Sequence, residues 1–269
     1  MIATRTSMCC LVGIWPKTLL ALSLLGGSGY AISAPPAEKL NAKFAALKGN
    51  LSNNSFQRPI TLDSVESLNQ LKGDVYALID HPFKIVNAAL QVPSNWCDIL
   101  ILHLNTKYCE ATVNEKNQRL NVYLGKKTEQ ARGDAYGVKM DYQVKFADRN
   151  YLGVDLNADR GPMGTSNYLI SLEAIPVGPN QSFIHLTYSY ALGLAGGLAT
   201  KAYLASSGRN KVGFTQAKGN KQTPSYIGGV RGMVERNTMR YYLAIDTYLG
   251  SIYESPNKRL HQWFSATEH

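Results

Sequence analysis

Between Val138 and Phe146 the chain alternates without a break. Val138, Met140, Tyr142, Val144 and Phe146 are apolar or aromatic, and Lys139, Asp141, Gln143 and Lys145 between them are polar. Strand side chains point to alternate faces, whereas a helix would spread these residues around its circumference. The segment is therefore read as a half-buried strand of an antiparallel sheet. Such a strand needs neighbours. Leu120 to Leu124 reads as one, and Leu152, Val154 and Leu156 open another. Tyr168, Ile170, Leu172 and Ala174 share a face of a third, as do Ile184, Leu186, Tyr188 and Tyr190 of a fourth. Turn-forming Gly, Asn, Pro and Asp separate them, so a curved meander is expected. Sixteen tyrosines against seven phenylalanines suit such a strand-rich interior.

Helices are expected on both sides of the meander. Residues 73–79 read as a strand stopped by Asp80-His81-Pro82, and Pro82 suits a helix start leading into residues 83–90. Pro93-Ser94-Asn95 opens a second short helix carrying Trp96, Ile99 and Leu100. Residues 191–205 read as a helix with Gly193 and Gly197 on a small-residue face. The longest helix spans roughly 230–252, where Val230, Val234, Tyr241, Ile245, Tyr248 and Ile252 form one apolar stripe. Arg231 and Glu235 are spaced to pair along it.

The N-terminus has a different character. Arg5 and Lys17 precede a short apolar run, residues 18–25, and small residues end in Ala31-Ile32-Ser33-Ala34. This is the layout of a secretory signal, with cleavage expected after Ser33, and its run is too short to span a bilayer. The expected organisation is a signal peptide over 1–33, an N-terminal extension or linker over 34–70, and a folded domain over 71–269. Export places Cys97 and Cys109, the cysteine pair of the mature chain, in an oxidising compartment, periplasmic or extracellular. There a disulfide between them is expected.

One strand, two short helices, an antiparallel meander and a long C-terminal helix form an order that resembles the START-like, or helix-grip, superfamily (SRPBCC). Gly161-Pro162-Met163-Gly164-Thr165-Ser166-Asn167-Tyr168, residues 182–190 and residues 230–242 look like those of an exported bacterial branch of it. The resemblance covers about residues 71–249 and brings no catalytic motif to transfer. It implies an α+β fold in which a curved antiparallel sheet grips the long helix, with an apolar cavity between them. Tyr142, Asn237, Tyr241 and Ile245 are then the candidates to contact a ligand. Asn237 lies on the apolar stripe, so its amide must bond either to the facing sheet or to a ligand.

Other motifs are weaker. Asp155 to Gly161 has the beginning of a calcium loop, but its glycine comes one place late and Ser166 stands where a bidentate acid belongs. A polar hairpin connection is the expected reading, and no metal or cofactor is implied. His185 is the weak catalytic candidate: it either faces the groove as a proton-transfer group or is a hydrogen-bonded strand histidine. No G-x-S-x-G elbow, H-E-x-x-H helix, Walker loop or dinucleotide fingerprint occurs.

Charge is distributed unevenly. Taking Arg5 and Lys17 from the net charge of +9 leaves +7 for the mature chain. Residues 174–234 contain no acid but carry Lys201, Arg209, Lys211, Lys218, Lys221 and Arg231. Arg209, Lys211, Lys218 and Lys221 fall in one loop with Val212 and Phe214, where weak contact with anionic membrane is the expectation. Nucleic acid fits the charge but not the compartment. The functional expectation is an exported protein that binds a lipid or other apolar small molecule in the groove. The alternatives are a cyclase- or hydrolase-like enzyme using that groove, or an envelope interaction protein whose core is filled.

Overall fold

In the computed structural model, residues 35–67, 70–114, 117–206, 208, 210–217 and 225–268 are described. The expected signal peptide, 1–33, lies outside them. The alternating segment is β5 (Tyr136–Ala147), with Val138, Met140 and Tyr142 buried and Lys139, Asp141 and Gln143 exposed. The alternation fails at its end. A bulge in the pairing with β6 (Leu152–Arg160), between Val144 and Phe146, turns Phe146 outward to 53% exposure.

The remaining strands are β1 (Ile60–Glu66), β2 (Leu71–Ile79), β3 (Thr106–Val113), β4 (Gln118–Leu124), β7 (Thr165–Pro176) and β8 (Ser182–Leu192). All pairs are antiparallel, in the order β1-β2-β8-β7-β6-β5-β4-β3. The first hairpin thus pairs with the last strand, and the meander returns to β3 at the far edge. The calcium-like run Asp155 to Arg160 belongs to strand β6, so it forms no loop.

Helices α2 (Phe83–Leu90) and α3 (Pro93–Leu100) follow β2 as expected, and the long helix is α5 (Gly229–Gly250). The Leu90 carbonyl at the end of α2 accepts from both Trp96 Nε1 (2.9 Å) and the Tyr142 hydroxyl (2.8 Å). Two buried side chains thereby satisfy a helix-terminal carbonyl that has no partner in its own helix. Helix α4 (Leu194–Ala205) begins two residues after β8 ends. A helix absent from the sequence reading, α6 (Pro256–Glu268), packs against α5. Its Trp263 is buried, and Arg259 reaches Asp98 at 3.2 Å.

The N-terminal extension, residues 34–70, holds a helix and strand β1, and residues 34–269 form one compact unit. Helix α1 (Pro36–Ser52) buries Leu40 and Leu51 against Tyr151, Ile175 and Phe183 on the sheet face opposite α5. Phe44 meets Phe183 at a centroid distance of 4.9 Å. Residues 37–47 read as a short helix from the sequence, and α1 extends that reading to 17 residues. Cys97 on α3 and Cys109 on β3 are disulfide-bonded, with Cα atoms 5.2 Å apart, so the bond holds the edge strand to the helix layer. Arg231 and Glu235 do not pair directly. Both meet the Ser64 hydroxyl, which accepts from Arg231 and donates to Glu235.

Helix α5 approaches β2 most closely at Gly73, where an added Cβ would lie 2.2 Å from Thr238 Oγ1. Gly73→Ala is therefore expected to destabilise the protein by about 1–3 kcal/mol, as overpacking does. Thr238→Ala in the same chain should restore part of that loss. Denaturant unfolding of both single variants and the double variant checks it, and strictly additive effects would refute the contact.

Candidate functional site

Helix α5 lies against β1, β2 and β8. The inner faces of β4, β5 and β7 are left to line a cavity of about 440 Å³. Its walls include Leu100, Val122, Val138, Met140 and Ile170, with Tyr188, Asn237 and Tyr241 bringing polar atoms from β8 and α5. A second lobe of about 640 Å³ shares Tyr168, Tyr188 and Asn237 with it and extends to Thr200, Tyr203 and Leu204 of α4. Helix α4 and the chain after it thus form part of the cavity wall. Met163, at the turn between β6 and β7, lines both lobes, stands 60% exposed and takes a left-handed backbone (φ 57°).

The polar wall is mostly aromatic. The Tyr168 and Tyr190 rings stack at 5.2 Å, Tyr188 and Tyr241 meet at 5.0 Å, and Tyr241 stacks on His103 at 4.9 Å. Burial raises the pKa of Tyr168, Tyr188, Tyr190 and Tyr241, so all four hydroxyls stay protonated. His103 lies just after α3, 6% exposed. Burial, reinforced by the charge of Arg240, holds its pKa at about 3, so the ring is neutral. Its Nδ1 faces the Asn105 N–H at 3.4 Å, which leaves the proton on Nε2. That Nε2 is buried without a well-formed hydrogen bond; the Asn237 side chain lies near enough to favour the charged ring slightly, against the larger effect of burial.

Cations ring the outer lobe. Lys126 and Lys127 come from the β4–β5 connection, Lys211 from the chain after α4, and Arg236 and Arg240 from successive turns of α5. Among the described residues none of the five has a carboxylate within ion-pair distance. Burial lowers the Lys127 pKa, and Arg240, Lys211 and Arg236 push it further down. Arg240 is lowered in the same way, by burial and then by Arg236.

A long C-terminal helix held on one face of an antiparallel sheet, two short helices after the strand that pairs with the last one, and a chamber between sheet and helix decide the architecture. The chain has a helix-grip fold. No family model matches the sequence, and no curated protein matches it. Among solved structures, human StAR-related lipid transfer protein 5 is 9% identical, with 81% of this chain and 98% of that chain covered and a TM-score of 0.39. Norcoclaurine synthase from Thalictrum flavum is 9% identical, covering 73% and 92%, with a TM-score of 0.37. The Zhui aromatase/cyclase from Streptomyces sp. R1128 is 10% identical, covering 76% and 94%, with a TM-score of 0.32.

Within this helix-grip chamber the expected ligand residues separate. Asn237 and Tyr241 line it. Tyr142 and Ile245 do not: Tyr142 is committed to the Leu90 carbonyl, and Ile245 lies fully buried in the core. His103 escaped the sequence reading because it stands between a helix and a strand, outside any periodic pattern. Of the basic loop, Arg209, Lys218 and Lys221 lie outside the described residues. Lys211 turns to the cavity, where its ammonium donates to the Tyr203 hydroxyl and lies over that ring. Phe214 does not project outward. It packs on Phe56 at 6.0 Å, and its N–H donates to buried Glu235.

His185 lies on the opposite face of the sheet, so it has no role in the groove. Its Nε2 faces Asp74 at 2.8 Å and its Nδ1 faces Glu173 at 2.9 Å. The Tyr76 ring stacks on it at 4.1 Å, and Lys43 of α1 lies over Tyr76. Lys72 and the Thr187 hydroxyl also bind Asp74, while Tyr151 donates to Glu173. Burial opposes ionisation of all three groups, but these hydrogen bonds outweigh it. His185 is raised above its ordinary 6.5, Glu173 is lowered, and Asp74 is held at about 2. A raised histidine stabilises the fold fully below pH 6.5, and that contribution is lost as pH rises through its folded pKa. A lowered aspartate is stabilising above its ordinary 3.8, and this is lost as pH falls toward 2. Unfolding measured from pH 5 to 9 should therefore show declining stability above 6.5. His185→Gln should lower stability at pH 5 and flatten that decline; an unchanged slope would refute the assignment.

Proposed function

We propose that this protein binds a lipid or other apolar small molecule in the chamber between the sheet and α5, without chemistry of its own. The observation that carries the proposal is the unfilled cavity of about 440 Å³ walled by Leu100, Val122, Val138, Met140 and Ile170. Interiors normally close-pack, so an opening of this size at the centre of the fold is a binding feature. It also speaks against a filled-core interaction protein. The named enzyme alternative loses its acid–base group, because His185 faces the other way.

Export to the periplasm or beyond is part of the same proposal, supported by the leader-like residues 1–33 and the Cys97–Cys109 bond. So is weak contact with anionic membrane through Arg209, Lys218 and Lys221. Protein recovered from an exporting host should begin at Ala34 and sediment with anionic but not neutral vesicles. A retained leader, or equal sedimentation with both vesicles, overturns the corresponding part.

Native mass spectrometry with solvent extraction tests the central reading. An apolar molecule should co-purify with the protein, and Val138→Phe, which builds into the chamber, should reduce its occupancy at least tenfold while the fold persists. Protein that is empty, and that takes up no lipid on incubation, refutes it.

A further inference from the structure

We propose that the ligand of this chamber carries a negatively charged group, a carboxylate or a phosphate, seated among Lys127, Lys211, Arg236 and Arg240 at the mouth with its apolar body below. The inference rests on the reading of the chamber as a binding site and assigns the chemical class of what enters it.

Three separate elements converge to bring these cations together: the β4–β5 connection, the chain after α4, and α5. Arg236 and Arg240 stand one helical turn apart, an arrangement of like charges that opposes helix formation. Their neighbours do not cancel the charge. Arg240 donates to Asn237 Oδ1 at 3.3 Å, Arg236 to the Val212 carbonyl at 3.4 Å, and Lys211 to the Tyr203 hydroxyl, all neutral acceptors. Glu235, adjacent in sequence, is spent elsewhere: it accepts from Ser64, Phe214 and Thr215. Asp134 lines the inner lobe but pairs with none of them. The sequence from 174 to 234 holds no acid, so the loop joining α4 to α5 adds only positive charge.

A second observation is independent of the cations. His103 lines the inner lobe, almost wholly buried, and its Nε2–H has no well-formed hydrogen bond, only the nearby Asn237 side chain, whose oxygen already accepts from Arg240. A buried donor without a good acceptor is costly, and a ligand oxygen would supply one. Uncancelled cations at the mouth and this poorly paired donor in the wall both call for oxygen acceptors, whereas the floor of Val122, Val138, Met140 and Ile170 calls for hydrocarbon. An anionic amphiphile satisfies all three. Cations on this rim would also draw such a molecule toward the opening before contact.

Calorimetric titration of the full chain with matched pairs tests this, each compound below its micellar concentration. The pairs are myristate against tetradecanol, and myristoyl lysophosphatidate against monomyristoylglycerol. At low salt the anionic member of at least one pair should bind tenfold or more tightly than its neutral partner, and which pair shows this distinguishes carboxylate from phosphate. The advantage should shrink in 0.5 M salt and in Arg236→Gln/Arg240→Gln, which should weaken the anionic member more than its neutral partner. Lys127→Gln/Lys211→Gln alters only side chains at the rim and keeps the test open if the arginine variant does not fold. Equal binding within both pairs overturns the anionic group and leaves the apolar chamber standing. Inorganic phosphate alone binding as tightly as the lipids overturns the amphiphile. Binding of no compound overturns the chamber reading, and this inference with it.

Discussion

A helix with its side chains is about 10 Å across, and strands lie about 4.8 Å apart. One helix therefore covers two or three strands, and this sheet has eight. The rest of the structure answers that mismatch. Helix α5 lies over β1, β2 and β8, pressed close by the missing side chain at Gly73. Helices α2 and α3 cover part of the remaining inner face, and the span that neither covers is the chamber. Its existence follows from the ratio of helix width to sheet width, and its chemistry follows from which residues happen to face the gap.

The two faces of the sheet treat charge differently. On the outer face His185 sits between Asp74 and Glu173, and Lys72 and Tyr151 complete the hydrogen bonds of those two carboxylates. That arrangement is structural and fastens β2, β7 and β8 under α1. At the chamber mouth the cations face one another across three elements without an acid. A protein selected only for stability has no use for the second arrangement, since moving one glutamate to the rim would relieve it.

Much of the architecture was legible because it rests on periodicity. The alternation of β5 and the apolar stripe of α5 are each set by burial of one face, and burial writes itself into the order of residue types. Where burial is slight the signal vanishes. Edge strand β3 keeps most of its residues half-buried or exposed, and α6 is anchored by Trp263 and Arg259 in an otherwise mostly exposed segment. Within the site, Asn237, Tyr241 and Ile245 descend one stripe in steps of about 6 Å. Periodicity names the stripe but not the depth at which the chamber ends, so Ile245 was grouped with two residues that line it. Tyr142 shows the same gap in another form, since its hydroxyl partner at Leu90 lies 52 residues away in sequence. His103 carries no periodic signal at all.

The bond between Cys97 and Cys109 has a consequence beyond holding an edge strand. The segment it closes is the one that carries Leu100, His103, Asn105 and Thr106, four residues of the chamber wall. A wall made of a helix end and a turn would ordinarily sample many shapes, and an incoming molecule would have to freeze one of them, at about 0.5–1.5 kcal/mol per ordered side chain. Here a covalent ring limits that freedom before anything arrives. In the proposed binding role the chamber would therefore select by shape on its α3 side, where the disulfide restrains the wall.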